Sequence, residues 1–185
     1  MDAAALLATL EASAPAVAIR NSLVLFPLIE SFHVLGLTLV FGTIAILDLR
    51  LLGLASTRRS FTAVASDVLP WTWAAFALTV ATGVLMFVTN ATTYYPNPYF
   101  QAKVLLLALS GVNMTVFELT ARRTVREWDR DPSAPPAGRI VAVVSLVVWI
   151  SVIVLGRWVG FTSARATAPT DPGVDFDAIE ELLPK

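Results

Sequence analysis

Four side chains carry most of the chemistry this sequence could perform: Glu30, His33, Lys103 and Arg157, each set in or at the edge of a long apolar stretch. An ionisable group at membrane depth is expensive and marks a functional site by default. Glu30 and His33 are three residues apart, so a helix places them on one face. Glu30-Ser31-Phe32-His33 is a Glu-x-x-His step of the kind that carboxylate-bridged metal bundles use in pairs, with two further Glu residues. The chain holds one His and no Cys, so a di-metal centre lacks its second step. A mononuclear copper or zinc site at His33 lacks a second imidazole or thiolate. One His does suffice as an axial haem ligand. Lys103 as a neutral amine, or the thioether of Met114 near the same stripe of its helix, could fill the other axial position. Each residue also has a purely structural reading. His33 could bond across helices, Glu30 could pair with Lys103 or Arg157, Lys103 could snorkel to the interface, and Met114 could simply pack.

The elements that must position these groups are transmembrane helices. Hydrophobic residues make up 56% of the 185 and charged residues 15%, against roughly 25% charge in a soluble domain. Mean hydropathy is +0.71. Four windows meet the need for about 20 apolar residues: Leu23–Leu47, Val68–Val88, Phe100–Leu119 and Ile140–Phe161. In lipid the backbone must satisfy its own hydrogen bonds, and no alternating barrel pattern is present. The expected fold is therefore all-α, a four-helix transmembrane bundle with up-down-up-down topology. Residues 1–21 read as an N-terminal leader or surface helix without the basic start of a signal peptide. Residues 22–163 form the transmembrane domain, and 164–185 a flexible acidic tail.

Basic residues orient the bundle. The first connection (Asp48–Asp67) holds Arg50, Arg58 and Arg59. The third (Thr120–Arg139) holds Arg122, Arg123, Arg126, Arg130 and Arg139, which brings these two to eight of the 13 Lys and Arg residues. The second (Thr89–Tyr99) has no charge and carries Tyr94, Tyr95 and Tyr99. The positive-inside rule puts connections one and three in the cytoplasm and both termini outside, with the tyrosines in the outer aromatic belt and Trp71 and Trp73 near the inner one. Glu30, Lys103 and Arg157 then share the outer half, with His33 just beneath them. Glu118 and Asp48 lie near the inner face, within reach of Arg50, Arg122 and Arg123. Gly36, Gly42, Gly83, Gly111 and Gly156 are candidates for close helix approach. A net charge of −1 gives no field for nucleic acid.

The pattern resembles a known group. His33-Val-Leu-Gly36, then Val40-Phe41-Gly42, Leu49-Arg50-Leu51, and the opening Pro98-Tyr99-Phe100-Gln101-Ala102-Lys103 are similar to small four-helix membrane proteins. That group includes the HemJ-type protoporphyrinogen oxidases and the CopD-like copper-resistance proteins. The overall likeness is to an uncharacterised bacterial membrane-protein family of this size. The resemblance spans helices one to three, about half the chain. It implies a haem role for the residues matching His33 and Lys103, and more loosely a role for Arg50. The chain departs from the HemJ pattern at Asn113, where that family often carries a further His, and at Gly138-Arg139-Ile140, where it carries Asn-Glu-x-Pro.

The expectation is a multi-pass protein of the bacterial inner membrane that binds b-type haem or a porphyrin and acts in oxidation-reduction. His33 would be the axial ligand, Lys103 a second ligand or propionate partner, Arg157 a propionate partner, and Glu30 the orienter of His33 or a proton relay. No residue is assigned a catalytic role. The alternatives are a small proton or metal-ion transporter built on the same groups, and an accessory subunit. Expected partners are the lipid bilayer, a haem or porphyrin, and a second copy of the chain or a larger membrane complex.

Overall fold

The computed structural model describes residues 2–167, and within them every regular element is helical. The acidic stretch 168–185 of the expected tail lies outside the described residues. Four helices are long and apolar enough to cross a membrane. They are α3 (Leu25–Leu52), α4 (Phe61–Thr89), α6 (Pro98–Leu119) and α8 (Pro136–Thr167). Short helices join or precede them: α1 (Ala3–Glu11), α2 (Ala14–Arg20), α5 (Ala91–Tyr94) and α7 (Val125–Trp128), with a 3-10 turn at Ala121–Thr124. The four spans alternate in direction, so the bundle is up-down-up-down, with an arginine-rich end and an aromatic end.

The helices run beyond the apolar windows. Asp48–Leu52 completes α3 and Phe61–Asp67 opens α4, so the first connection shrinks to residues 53–60. Polar residues continue a helix wherever its end is capped and packed, which hydropathy alone does not register. Ser60 caps α4, its Oγ accepting from Ala63 N at 3.3 Å. Asn97 caps α6, its Oδ1 accepting from Tyr99 N at 3.0 Å. Pro98 follows at the first helical position, where a missing N–H costs nothing. The Asn97 amide also donates to Thr162 Oγ1 at 2.8 Å, which fastens the start of α6 to the far part of α8.

Helix α3 packs along α4 and α8, and α6 packs along α8, so α3 and α8 form the central seam. Two apolar clusters fill the interior. Val40, Ala75, Val148, Trp149 and Val152 make a plug at mid-bundle. Phe61, Phe117, Trp128 and Ala142 belong to a second cluster at the arginine-rich end. Large apolar side chains such as Leu35, Leu105 and Val147 cover the outside, as lipid contact requires. Of the five candidate glycines, Gly36, Gly83 and Gly156 sit against another helix, whereas an added Cβ at Gly42 or Gly111 meets nothing within 4 Å. At Gly36 a Cβ would lie 2.5 Å from Thr79 Oγ1, so α3 and α4 approach there only because the side chain is absent.

The arginine-rich end is closed by Arg50, which is fully buried. Sequence reasoning set it, with Arg122 and Arg123, within reach of Asp48 and Glu118. In the structure its guanidinium donates to backbone carbonyls instead: Nε to Arg59 O at 3.0 Å, Nη1 to Pro132 O at 3.3 Å, and Nη2 to Asp129 O at 3.2 Å and Asp131 O at 2.9 Å. Residues two apart on a helix point to opposite sides, which is why Arg50 turns away from Asp48. The same two connections are stitched by Phe61 N to Asp129 O at 2.8 Å and Ala134 N to Leu51 O at 2.9 Å. The expected pairing of Glu118 with Arg122 is present.

Helices α1 and α2 lie at the aromatic end, against α5 and α4. The Glu11 carboxylate accepts from Thr92 N at 2.8 Å and Thr92 Oγ1 at 2.7 Å.

Candidate functional site

His33 lies on the face of α3 that meets α4. Its Nδ1 is 3.0 Å from the carbonyl oxygen of Thr79 and 3.1 Å from Thr82 Oγ1. The carbonyl can only accept. The Thr82 hydroxyl spends its own proton on Leu78 O at 2.7 Å, so it too offers a lone pair. Nδ1 therefore carries the hydrogen, and in the neutral ring Nε2 is left with its lone pair. Nε2 has no hydrogen-bond partner among the described residues. Space for the ring comes from Gly83, where an added Cβ would stand 3.1 Å from His33 Cε1.

Lys103 enters from α6, one turn below the Asn97 cap, and its stem crosses toward α8. There Gly156 makes room, an added Cβ lying 3.3 Å from Lys103 Nζ. The Lys103 charge acts on the His33 imidazole, so the pair shares one electrostatic neighbourhood. Neither group forms an ion pair with a carboxylate among the described residues. The result is a half-buried imidazole of α3 set against α4 and a half-buried amine of α6 set against α8, both held by glycine-made space.

The other two sequence-predicted residues stand apart. Glu30 is exposed on α3 and forms no ion pair with Lys103 or Arg157. Its charge acts on Tyr94 of α5. Burial first, and the Glu30 carboxylate second, hold the Tyr94 hydroxyl above the usual tyrosine range. Arg157 is exposed on α8, its guanidinium carbon 4.5 Å from the centre of the Phe161 ring one turn further on. Gly156 faces Lys103, and the next residue is rotated by about 100°, which carries Arg157 off that face. Met114 lies 11 positions beyond Lys103, about 16 Å along α6, among residues lining a cavity on the far side of the plug. That depth separates it from His33.

Asn113, the polar residue in the third span, donates from Nδ2 to Val141 O at 3.2 Å and binds α6 to α8. Asp48, buried on α3, lies beside the Ser145 hydroxyl of α8. No group of three or more His, Cys, Asp or Glu that could hold a metal occurs among the described residues.

Fold and site together define the class: a four-span membrane bundle with an imidazole and an amine set between its helices. Within that class the chain belongs to a family of unknown function, DUF6644, whose profile matches residues 22–162. No curated protein and no solved structure matches it.

Proposed function

We propose that this protein binds a b-type haem or related porphyrin in the membrane, which His33 would hold through Nε2 and Lys103 would hold as a second ligand or a propionate partner. The observation that carries this reading is the Nδ1 donation to Thr79 O and Thr82 Oγ1. Metal-binding imidazoles are oriented in the same way, by a hydrogen bond from the other ring nitrogen that fixes the tautomer and raises ligand basicity. The resemblance of the His33 and Lys103 segments to HemJ-type proteins supports the same assignment. Glu30 and Arg157 play no direct part in the ligation, since both are exposed. Bound iron would supply oxidation-reduction chemistry, and the chain's own residues would set the ring orientation and exclude water.

The test is the absorption spectrum of protein purified in detergent from haem-replete cells. A Soret band that His33→Ala abolishes is expected, and Lys103→Ala should convert a six-coordinate spectrum to a five-coordinate one if the amine ligates. A colourless wild-type preparation refutes the reading. A second reading rests on the Lys103 charge acting on the imidazole while neither group has an ion-paired carboxylate among the described residues, which also suits a proton relay. Proton flux into liposomes that His33→Ala and Lys103→Met both stop is its signature. The setting we propose is a bacterial inner membrane with the arginine-rich end in the cytoplasm. Because the native chain has no cysteine, single cysteines at Arg58 and Tyr95 can be labelled from opposite sides to check it.

A further inference from the structure

Helices α4 and α6 do not pack along each other. Ring contacts join them near either end: Phe61 with Phe117, centroids 5.8 Å apart, and Phe87 stacked on Phe100 at 5.3 Å. Between those contacts the arginine-rich half of the bundle holds a cavity of about 510 Å³, lined by all four spans. Trp73 and Phe76 of α4 and Gly111 and Met114 of α6 line it and are exposed, so it opens sideways to the membrane. Its floor is the apolar plug, through Val40 and Trp149.

Depth and polarity define the occupant. The lining runs from Thr62 to Phe76 on α4 and from Leu51 to Val40 on α3. At a rise of about 1.5 Å per residue these lengths are about 21 Å and about 16 Å. Half of a hydrocarbon core of about 30 Å is about 15 Å, so the cavity is as deep as one leaflet. The hydroxyls along its wall are spent within their own helices: Ser66 donates to Ala63 O, Thr72 to Val68 O and Ser110 to Leu107 O. The Asn113 amide donates to Val141 O, and Asp48 is only 5% exposed. Below the rim an occupant therefore meets mostly hydrocarbon.

At the rim stand two opposite charges. Glu118, in the last turn of α6, and Arg122 just beyond it line the cavity and pair with each other. The Arg122 and Glu118 side chains are 53% and 36% exposed, and an ion pair held that openly yields readily to other partners. A phosphate and a primary ammonium on one headgroup match this pair. The guanidinium takes phosphate oxygens in its fork, and the carboxylate accepts from the ammonium. A quaternary ammonium has no N–H to give, and an anionic head without an amine leaves Glu118 facing like charge.

We infer that the gap between α4 and α6 holds one phosphoethanolamine lipid of the leaflet at the arginine-rich end, its acyl chain in the cavity, its phosphate on Arg122 and its ammonium on Glu118. This site lies across the plug from the His33–Lys103 pair and does not depend on the reading given to that pair.

The test is native mass spectrometry of the full-length protein, delipidated in detergent and then given an equimolar mixture of phosphatidylethanolamine, phosphatidylcholine and phosphatidylglycerol with identical acyl chains. One retained lipid per chain is expected, with the ethanolamine lipid favoured about fivefold over each of the others. That is below the roughly tenfold of one sheltered charge-assisted hydrogen bond because the rim is wet. Glu118→Gln should erase the advantage over phosphatidylcholine, and Arg122→Gln should lower retention of all three lipids. Gly111→Phe should remove the retained lipid, since Gly111 lines the gap and an added Cβ there meets open space. Equal retention of the three lipids by the native protein, a preference for phosphatidylglycerol, or a lipid-free dimer, which would assign the gap to a second copy, would each overturn the proposal. So would undiminished retention in Gly111→Phe. The arms on the native protein need no substitution, so a misfolded variant does not decide the outcome.

Discussion

Replacing Arg50 with alanine removes four hydrogen bonds from a fully buried cation to the carbonyls of Arg59, Asp129, Asp131 and Pro132. The bonds at 3.0 and 2.9 Å are well formed, and those at 3.3 and 3.2 Å are long. A hydrogen bond to a charged group nets about 1.5–3 kcal/mol, so the two good bonds contribute about 3–6 kcal/mol. Removing the guanidinium relieves its own desolvation, and water can enter at this end to serve some of the carbonyls. A net loss of about 3 kcal/mol remains. For a chain of this length that is roughly 6–12 °C in melting temperature. Arg50→Lys keeps the charge but not the planar fork, and an ammonium cannot span carbonyls on two connections. It should lose about half as much. The assay is thermal unfolding in detergent, together with hydrogen exchange at the amides of Phe61 and Ala134, whose bonds to Asp129 and Leu51 hold the two connections together. Arg58→Ala, an exposed control, should leave both readouts unchanged. A melting point for Arg50→Ala within about 2 °C of the native value, with both amides still protected, would refute the reasoning.

Gly36→Ala forces a Cβ to within 2.5 Å of Thr79 Oγ1. It should destabilise by about 1–3 kcal/mol, whereas Gly42→Ala, facing open space, should be neutral or slightly stabilising; thermal unfolding of the two variants distinguishes them. Burial acts to raise the Glu11 pKa, but hydrogen bonds from Thr92 and the charge of Arg20 outweigh it and hold the carboxyl below its ordinary value. A depressed folded pKa means the contact contributes above the unfolded value and is lost as pH falls through the folded one. Protease cleavage of α1 should therefore rise in acid, below about pH 4.5, and Glu11→Gln should flatten that pH dependence. Tyr94 should ionise later than a free tyrosine in an ultraviolet pH titration, and Glu30→Gln should bring its midpoint partway back.

Much of the bundle was legible because spanning segments announce themselves by length and apolarity. Phe61–Thr89, Pro98–Leu119 and Pro136–Thr167 contain the windows read from sequence, and Leu25–Leu52 starts two residues inside its window. Helix ends were less legible. Asp48 and Arg50 look like loop residues to a hydropathy count, yet Arg50 stays helical because carbonyls 79 to 82 positions away enclose it. The choice of His33 and Lys103 as candidates followed from the cost of placing ionisable groups at depth. The rotation of each helix about its axis did not follow. Glu30 and His33 share a face, but Glu30 sits at its exposed edge, and Arg157 is one residue out of phase with Gly156. Asp48 could have been separated from Arg50 by helical period alone, since two positions correspond to about 200° of rotation. The cavity was not legible at all. It depends on which walls four different helices present, and neighbouring residues in sequence do not encode that.

Val40 and Val152 are wholly buried, and Val148 and Trp149 nearly so. On α3, Val40 lies between His33 and Asp48, which are 15 residues or about 22 Å apart, and Val148, Trp149 and Val152 join it from α8. A transmembrane voltage acts on any charge that can cross this interval, at about 2.3 kcal/mol per 100 mV. These four side chains therefore put an apolar layer, in effect an electrical insulator, between the titratable groups on either side of it.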